Sequence, residues 1–273
     1  MSTTITVVVD NIAAMDLQGE WGLSFLIEYA DKKILLDAGG SNLFLTNLKG
    51  LGFDVKDIDY GVLSHAHYDH ANGIPYFFEN NSSAKFCLRE GSDTNCYRNL
   101  KFFFKKYIGI PKKLLKKYPD RIEMVSGDYK LMDGVYIIPH KTPGLDVLGK
   151  REQMYQKINR KWMLDDFSHE QSLVLDTDKG LVILNSCSHG GAGNIIDEVQ
   201  RTFPDKHIYG YIGGLHLYNK TKAEILKVAE IFKEKNIECI YTGHCTMNRA
   251  FGILKEELGE RVQQLSVGLK ITI

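Results

Sequence analysis

Apolar runs closed by turn residues recur along this chain in two rounds. In the first, residues 5–9 and 23–29 read as strands, and the turn Ala30-Asp31-Lys32 leads into 33–37 as a hairpin partner. A helix follows over 42–50, capped by Ser41, with Leu43, Phe44, Leu48 and Leu51 facing inward. The segment 55–59 then enters a buried strand at 60–63, a helix begins near 69–78, and 84–88 is another strand. A meander over 121–125, 129–132 and 135–138 turns at Asp133-Gly134. The second round has strands at 171–176, 181–184, 208–212 and 237–241, with a closing strand at 269–273. Helices over 193–202, 221–235 and 250–258 alternate with them, and Ile225, Val228, Ala229 and Phe232 form the inward stripe of the second. Hairpins followed by strand–loop–helix units predict two sheets face to face with helices outside. That is a four-layer α/β sandwich, read as a single domain over 1–273.

Two stretches, about 91–120 and 144–167, break the pattern and are expected to be helical insertions lying over the core. Residues 98–121 carry nine basic side chains (Arg98, Lys101, Lys105, Lys106, Lys112, Lys113, Lys116, Lys117, Arg121) against Asp120 alone. Phe102, Phe103, Phe104, Tyr107 and Tyr118 are interleaved with them. A solvated lysine face over buried aromatics accounts for this, as does a pocket wall that attracts an anionic substrate. The aromatics at 102–107 are equally suited to burial against a second copy, which makes a homodimer a candidate.

Composition narrows the classes. The 273 residues contain 34 Lys+Arg and 34 Asp+Glu, so overall charge points to neither a nucleic-acid nor a membrane partner. The N-terminus lacks a basic segment before its short apolar run, and no apolar stretch approaches spanning length. Five cysteines, an odd number without tight pairing, suggest reduced thiols and a cytoplasmic protein.

The chemistry concentrates in Ser64-His65-Ala66-His67-Tyr68-Asp69-His70, directly after the buried strand at 60–63. Alternate side chains of an extended backbone point the same way, so His65 and His67 can converge on one ion. Asp69 and His70, where the chain turns towards a helix, face a second position. Imidazole plus one carboxylate suits zinc, iron or manganese better than calcium or magnesium. His189, His216 and His244 end later strands beside glycine or small polar residues, where α/β proteins build their sites. His140, His169 and His207 lack that setting, although His169 precedes a strand and could reach the cluster. Asp37, which ends the strand at 33–37, is either a turn former or a carboxylate that orients a ligand histidine.

These residues carry a family resemblance. Ser64 to His70 resembles the H-x-H-x-D-H motif of the metallo-β-lactamase superfamily, and Asp37-Ala38-Gly39 and Gly243-His244 resemble further parts of its pattern. The stretches Ser-Cys-Ser-His-Gly-Gly, Gly-Gly-Leu-His-Leu and Thr-Gly-His-Cys are similar to those of an archaeal and bacterial subgroup of metal-dependent hydrolases. Some archaeal members are assigned as the 7,8-dihydropterin-6-methyl-4-(β-D-ribofuranosyl)-aminobenzene 5′-phosphate synthase. The resemblance implies an αββα fold with two divalent ions, zinc foremost and iron or manganese as alternatives. It assigns His65, His67 and His189 to one metal and Asp69, His70 and His244 to the other. Two departures stand out. Leu145 follows Thr142-Pro143-Gly144 where many relatives have histidine, and Ser186-Cys187 stands where many have a bridging aspartate. Cys187 or solvent would then take the bridging position, or nothing does and the second metal binds weakly.

The implied activity is that of a binuclear metal-dependent hydrolase or transferase using a metal-activated hydroxide, with Asp69 orienting it and His216 as proton donor or oxyanion contact. The basic stretch tilts the expected small-molecule substrate towards a phosphorylated one, a pterin ribosyl-phosphate among them. A lactonase or thioesterase acting on a neutral acyl group is the rival enzyme, and a non-catalytic metal-binding protein the rival from another class.

Overall fold

The computed structural model describes residues 3–14, 16–93, 95–100 and 104–273. Lys101, Phe102 and Phe103 of the basic stretch lie outside them. Two seven-stranded sheets form the body of the molecule. The first runs, in spatial order, Lys270–Thr272, Thr4–Val9, Ser24–Tyr29, Lys32–Leu36, Tyr60–Val62, Lys85–Arg89 and Ile122–Val125. The second runs Val262–Gln264, Cys239–Thr242, Ile208–Ile212, Gly180–Leu184, Gln171–Thr177, Val135–Pro139 and Tyr129–Met132. In each, an antiparallel hairpin leads into parallel strands, the arrangement expected from the repeated hairpin and strand–loop–helix pattern.

Period-two alternation decides which face each residue serves. Ile5, Val7, Phe25, Ile27, Ile34 and Leu36 pack from the first sheet against Ile137, Leu173, Leu175, Val182 and Leu184 of the second. The intervening Val8, Leu26 and Leu35 face the other way, onto the helices at Leu43–Gly50 and Ile74–Asn80. The second sheet is covered by Ala192–Thr202, Lys222–Glu234 and Met247–Leu258. The layers are thus helix, sheet, sheet, helix. Among the described residues, no helix is long and apolar enough to cross a membrane.

Three local departures have physical reasons. The helix expected near 69–78 is split into Tyr68–Ala71 and Ile74–Asn80. At the break, a Cβ on Gly73 would come 1.9 Å from the Ala38 carbonyl oxygen, so only glycine lets the two loops touch. The buried stripe of Leu43–Gly50 includes Asn47, whose amide donates to the carbonyls of Val8 (2.8 Å) and Gln18 (2.9 Å) and ties down the loop after the first strand. The stretches expected as helical insertions contain only short helices, Leu114–Lys117 and Asp146–Glu152. The two stretches join in one four-stranded antiparallel sheet ordered Lys161–Leu164, Met154–Ile158, Cys96–Asn99 and Lys105–Tyr107. Its aromatic–lysine spacing reflects cross-strand stacking: Tyr97 packs edge-on against Trp162, and the Lys105 ammonium sits 4.4 Å from the Tyr155 ring centre.

Candidate metal centre

All the site loops leave the C-terminal ends of parallel strands, and several turn through a left-handed, non-glycine residue. Asp37 (φ 60°), Ser188 (φ 52°), His216 (φ 50°) and His244 (φ 47°) each hold this sparsely populated conformation. Such local strain collects where a fold aims side chains at one point.

Here that point is a knot of imidazoles. The His65 ring centre lies 4.7 Å from His67, 4.2 Å from His70 and 4.8 Å from His189. His67 Nδ1 and His189 Nε2 are 3.1 Å apart. Two nitrogens bound to one tetrahedral ion at about 2.0–2.1 Å stand roughly 3.3 Å apart, so this spacing is that of ligands sharing an ion. Beside them, Asp69 Oδ2 approaches His70 Nε2 at 3.8 Å and His244 Nε2 at 3.6 Å. The structure therefore brings the six residues assigned from sequence into two adjoining groups, all of them buried.

Hydrogen bonds behind the rings fix which nitrogen faces the cluster. His65 Nδ1 meets Ser64 Oγ at 2.8 Å, and that hydroxyl donates to Asp37 Oδ2 at 2.6 Å. His70 Nδ1 meets the same Asp37 oxygen at 2.8 Å. With a carboxylate at the end of both chains, Nδ1 carries the proton and the Nε2 lone pair points inward. Asp37 is thus the orienting carboxylate of the two sequence readings. Asn11 Oδ1 does the same for His244 Nδ1 at 3.0 Å, and Asp10 accepts the His244 backbone N–H at 3.1 Å.

Several buried ring nitrogens have no hydrogen-bond partner in the protein. His65 Nε2, His67 Nε2, His189 Nδ1, His216 Nδ1 and His244 Nε2 are buried and unpaired. Burial, reinforced by the neighbouring rings, holds His65 and His189 well below the usual imidazole range and brings His67 to about 3. Burial opposes ionisation of Asp69, yet the His70 and His244 rings carry its carboxyl well below its ordinary range. Neutral imidazoles of His65, His67 and His189 beside an ionised Asp69 are the donor set of a transition-metal site. The residues fit the group.

The remaining sequence candidates fall into separate places. His216 stacks on His189 with ring centres 4.2 Å apart, and its Nε2 reaches Glu152 Oε2 at 3.4 Å. Burial works against its protonation, but Cys245 and Glu152 carry its pKa up to about 9. His169 lies one layer behind His67, bound to Asp165 at 3.3 Å. His207 is at the surface beside Glu238.

His140 sits between the buried carboxylates of Glu170 and Glu198. Glu170 also accepts the backbone N–H groups of His189 and Gly190, both at 2.9 Å, and so holds the His189 loop. Burial lowers the His140 pKa, but the two carboxylates overcome it and raise the value to about 9. A raised folded-state pKa stabilises fully below the unfolded value of about 6.5 and loses that contribution as pH climbs through about 9. Urea unfolding of the metal-free protein should therefore show stability falling between these pH values. His140→Gln should flatten that dependence.

A cavity of about 260 Å³ opens onto the two groups. Trp21, Tyr68, Leu100, Ile108, Met154 and Tyr218 give it aromatic and apolar walls, while Arg98 and Lys106 bring cations to it. Arg98 is held by the Tyr218 hydroxyl at 2.7 Å, and Tyr218 donates in turn to Glu152 at 3.1 Å. The other described cations of 98–121 do not line it. Arg121 binds the Asn81 and Ala84 carbonyls, Lys117 pairs with Glu79, and Lys112 covers Tyr107.

Comparison with known proteins agrees with this construction. Residues 22–149 match the family model for the metallo-beta-lactamase superfamily. The chain is 29% identical over 266 residues to a Methanocaldococcus jannaschii protein named 7,8-dihydropterin-6-methyl-4-(beta-D-ribofuranosyl)-aminobenzene-5'-phosphate synthase, covering 90% of this chain and 88% of the relative. An uncharacterized protein of the same organism is 28% identical, covering 92% and 94%. A solved structure described as a metal-dependent hydrolase of the beta-lactamase superfamily superposes with a TM-score of 0.84 at 27% identity, over 99% of both chains. A diphosphatase from the PhnP family, at 15% identity and a TM-score of 0.54 over 100% of this chain and 98% of that one, shares the fold. Motif, layer order and relatives agree: residues 22–149 match the metallo-beta-lactamase superfamily model, and the whole chain has the fold of a metal-dependent hydrolase of that superfamily.

Proposed function

We propose that the protein is a binuclear metal-dependent hydrolase or transferase acting on a small phosphorylated or ester substrate. The observation that carries this reading is the set of unpaired, buried imidazole nitrogens beneath a cavity that also presents Arg98 and Lys106. His65, His67 and His189 would hold one divalent ion, and Asp69, His70 and His244 the other. Bound there, such ions supply Lewis acidity and a hydroxide nucleophile at neutral pH. Zinc fits the nitrogen-rich set best, with iron and manganese next.

The protein's own groups complete the chemistry. Asp69 faces the ion position and the cavity, placed to orient the attacking water. His216, kept protonated between Glu152 and Cys245, is placed to donate to a leaving group or to stabilise a developing oxyanion. Trp21, Tyr68 and Tyr218 supply ring faces for a flat heterocycle, and Arg98 with Lys106 supplies charge for a phosphate. A pterin ribosyl-phosphate has both parts, which accords with the name of the archaeal relative. The free thiols of all five cysteines suit a reducing cytosol.

The test is a substrate panel on metal-loaded protein, spanning phosphomonoesters, phosphodiesters, ribosyl phosphates, lactones and thioesters. Turnover of a phosphorylated member supports the reading, and turnover of lactones or thioesters alone replaces it with the neutral-acyl rival. For an active phosphorylated substrate, Arg98→Ala and Lys106→Ala should each raise KM about 10-fold while kcat changes little. That is the effect of losing one charge-assisted hydrogen bond of roughly 1.5 kcal/mol or more. Alanine at Lys112 or Lys116, which do not line the cavity, should leave KM unchanged.

A further inference from the structure

We propose that Cys187 is a thiolate ligand of the metal centre, shared between its two positions. The inference rests on the metal reading above and names the group that stands in for the missing carboxylate. Asp69 is the lone acid among the described residues lining the cavity, so no second carboxylate is available to bridge. Cys187 comes from the same loop as His189, two residues earlier, and lies where both histidine groups meet. Its sulfur is within 4.8 Å of the ligating atoms of His65 and His70, of His189 and His216, and of His244 and Cys245. It faces the cavity while only 3% exposed.

The closest approach is the most telling. Cys187 Sγ lies 3.3 Å from His70 Nε2, the nitrogen whose lone pair Asp37 turns inward. A sulfur at about 2.3 Å and a nitrogen at about 2.0 Å from one tetrahedral ion stand roughly 3.5 Å apart. A second observation points to the same place, because His65 Nε2, fully buried and without a partner, belongs to the same knot of atoms as Cys187 and His70. Binding exchanges the thiol proton for the metal: the S–H bond breaks, a sulfur–metal bond forms, and one proton leaves to solvent. A sulfur in this position favours zinc or cobalt over manganese. Cys245 is a neighbour of another kind. Its sulfur accepts the His216 backbone N–H at 3.3 Å and packs against the Cys187 carbonyl, which makes it a support for the loop.

The experiment is cobalt(II) titration of metal-free protein, read by absorption spectroscopy and metal analysis rather than by turnover. The unaltered chain should take up about two ions and show a near-ultraviolet sulfur-to-cobalt charge-transfer band. Cys187→Ser should lose the band and weaken the second ion at least ~10-fold. Cys187→Asp should lose the band yet keep both ions, since it restores an oxygen bridge and so separates ligand loss from misfolding. Cys245→Ser should keep the band. Two bound cobalt ions without a band in the unaltered chain, or a band that survives Cys187→Ser, would overturn the thiolate assignment while leaving the metal reading intact. No cobalt bound by the unaltered chain would overturn both.

Discussion

His65→Ala and His244→Ala should each remove about one of two bound metal ions and lower kcat/KM by ~10³ or more. The proposed assignment puts the two residues in different groups, His65 with His67 and His189, and His244 with His70 and Asp69, whose Oδ2 is 3.6 Å from His244 Nε2. Each group places its donors within ligand distance of one another, so removing one imidazole leaves an incomplete shell. An ion stabilises several kcal/mol of charge in a transition state, and each 1.36 kcal/mol is tenfold in rate, from which the rate loss follows. Metal analysis of protein purified without a metal-affinity tag measures the first effect, and steady-state kinetics on an active substrate the second. Thermal unfolding of the metal-free variants close to that of the unaltered protein would show that the losses arise at the site. One ion in the unaltered protein, lost only with His65→Ala, would replace the binuclear reading with a mononuclear resting state. No metal after reconstitution with zinc, iron or manganese would refute the mechanism.

The fold was largely legible because its signals are local and repeated. Strands at 5–9, 60–63, 171–176 and 208–212 announced themselves as short apolar runs, and each has a counterpart within a residue or two. Parallel strands deliver their C-terminal loops to one edge, so noting that His189, His216 and His244 each follow such a strand was enough to bring them towards the His65 loop. The insertions were illegible for the opposite reason. Strands Cys96–Asn99 and Met154–Ile158 pair across 50 residues or more of chain. Their lysine–aromatic spacing mimics an amphipathic helix when read locally, and only the cross-strand partners Trp162 and Tyr155 explain it.

The supporting polar groups were the least visible. Glu152 holds His216, Lys220, Tyr218 and Asn219 from a short helix inside an irregular stretch. Glu170 anchors the His189 loop through backbone N–H groups, which carry no sequence signature. Asp10 had a readable cue: it ends the first strand as Asp37 ends the third, at the edge where the site assembles.

Asp37 is where orientation and stability meet, and its removal should be the most damaging change outside the donor set. Its carboxylate is fully buried and accepts from Ser64 N at 2.7 Å, Ser64 Oγ at 2.6 Å and His70 Nδ1 at 2.8 Å. Asp37→Ala leaves three buried donors unsatisfied at about 1–3 kcal/mol each, so unfolding free energy should fall by at least about 3 kcal/mol. For a chain of this length that is a drop of roughly 6 °C or more in Tm. Asp37→Asn separates the two roles. Its amide oxygen can still accept from Ser64 N, and the shape is kept, so the loss of stability should be smaller. Its NH2 group, however, would face His70 Nδ1 and Ser64 Oγ as a donor, reversing both hydrogen-bond chains. His70 would move its proton to Nε2, and Ser64 would turn its own towards His65 Nδ1, with the same result there. One substitution would thus spoil a nitrogen in each group, and the affinity for both ions should fall about 10- to 100-fold. Metal titration beside thermal unfolding reads the two effects separately. Unchanged affinity in Asp37→Asn would mean that the rings are held by packing, and that Asp37 serves the fold alone.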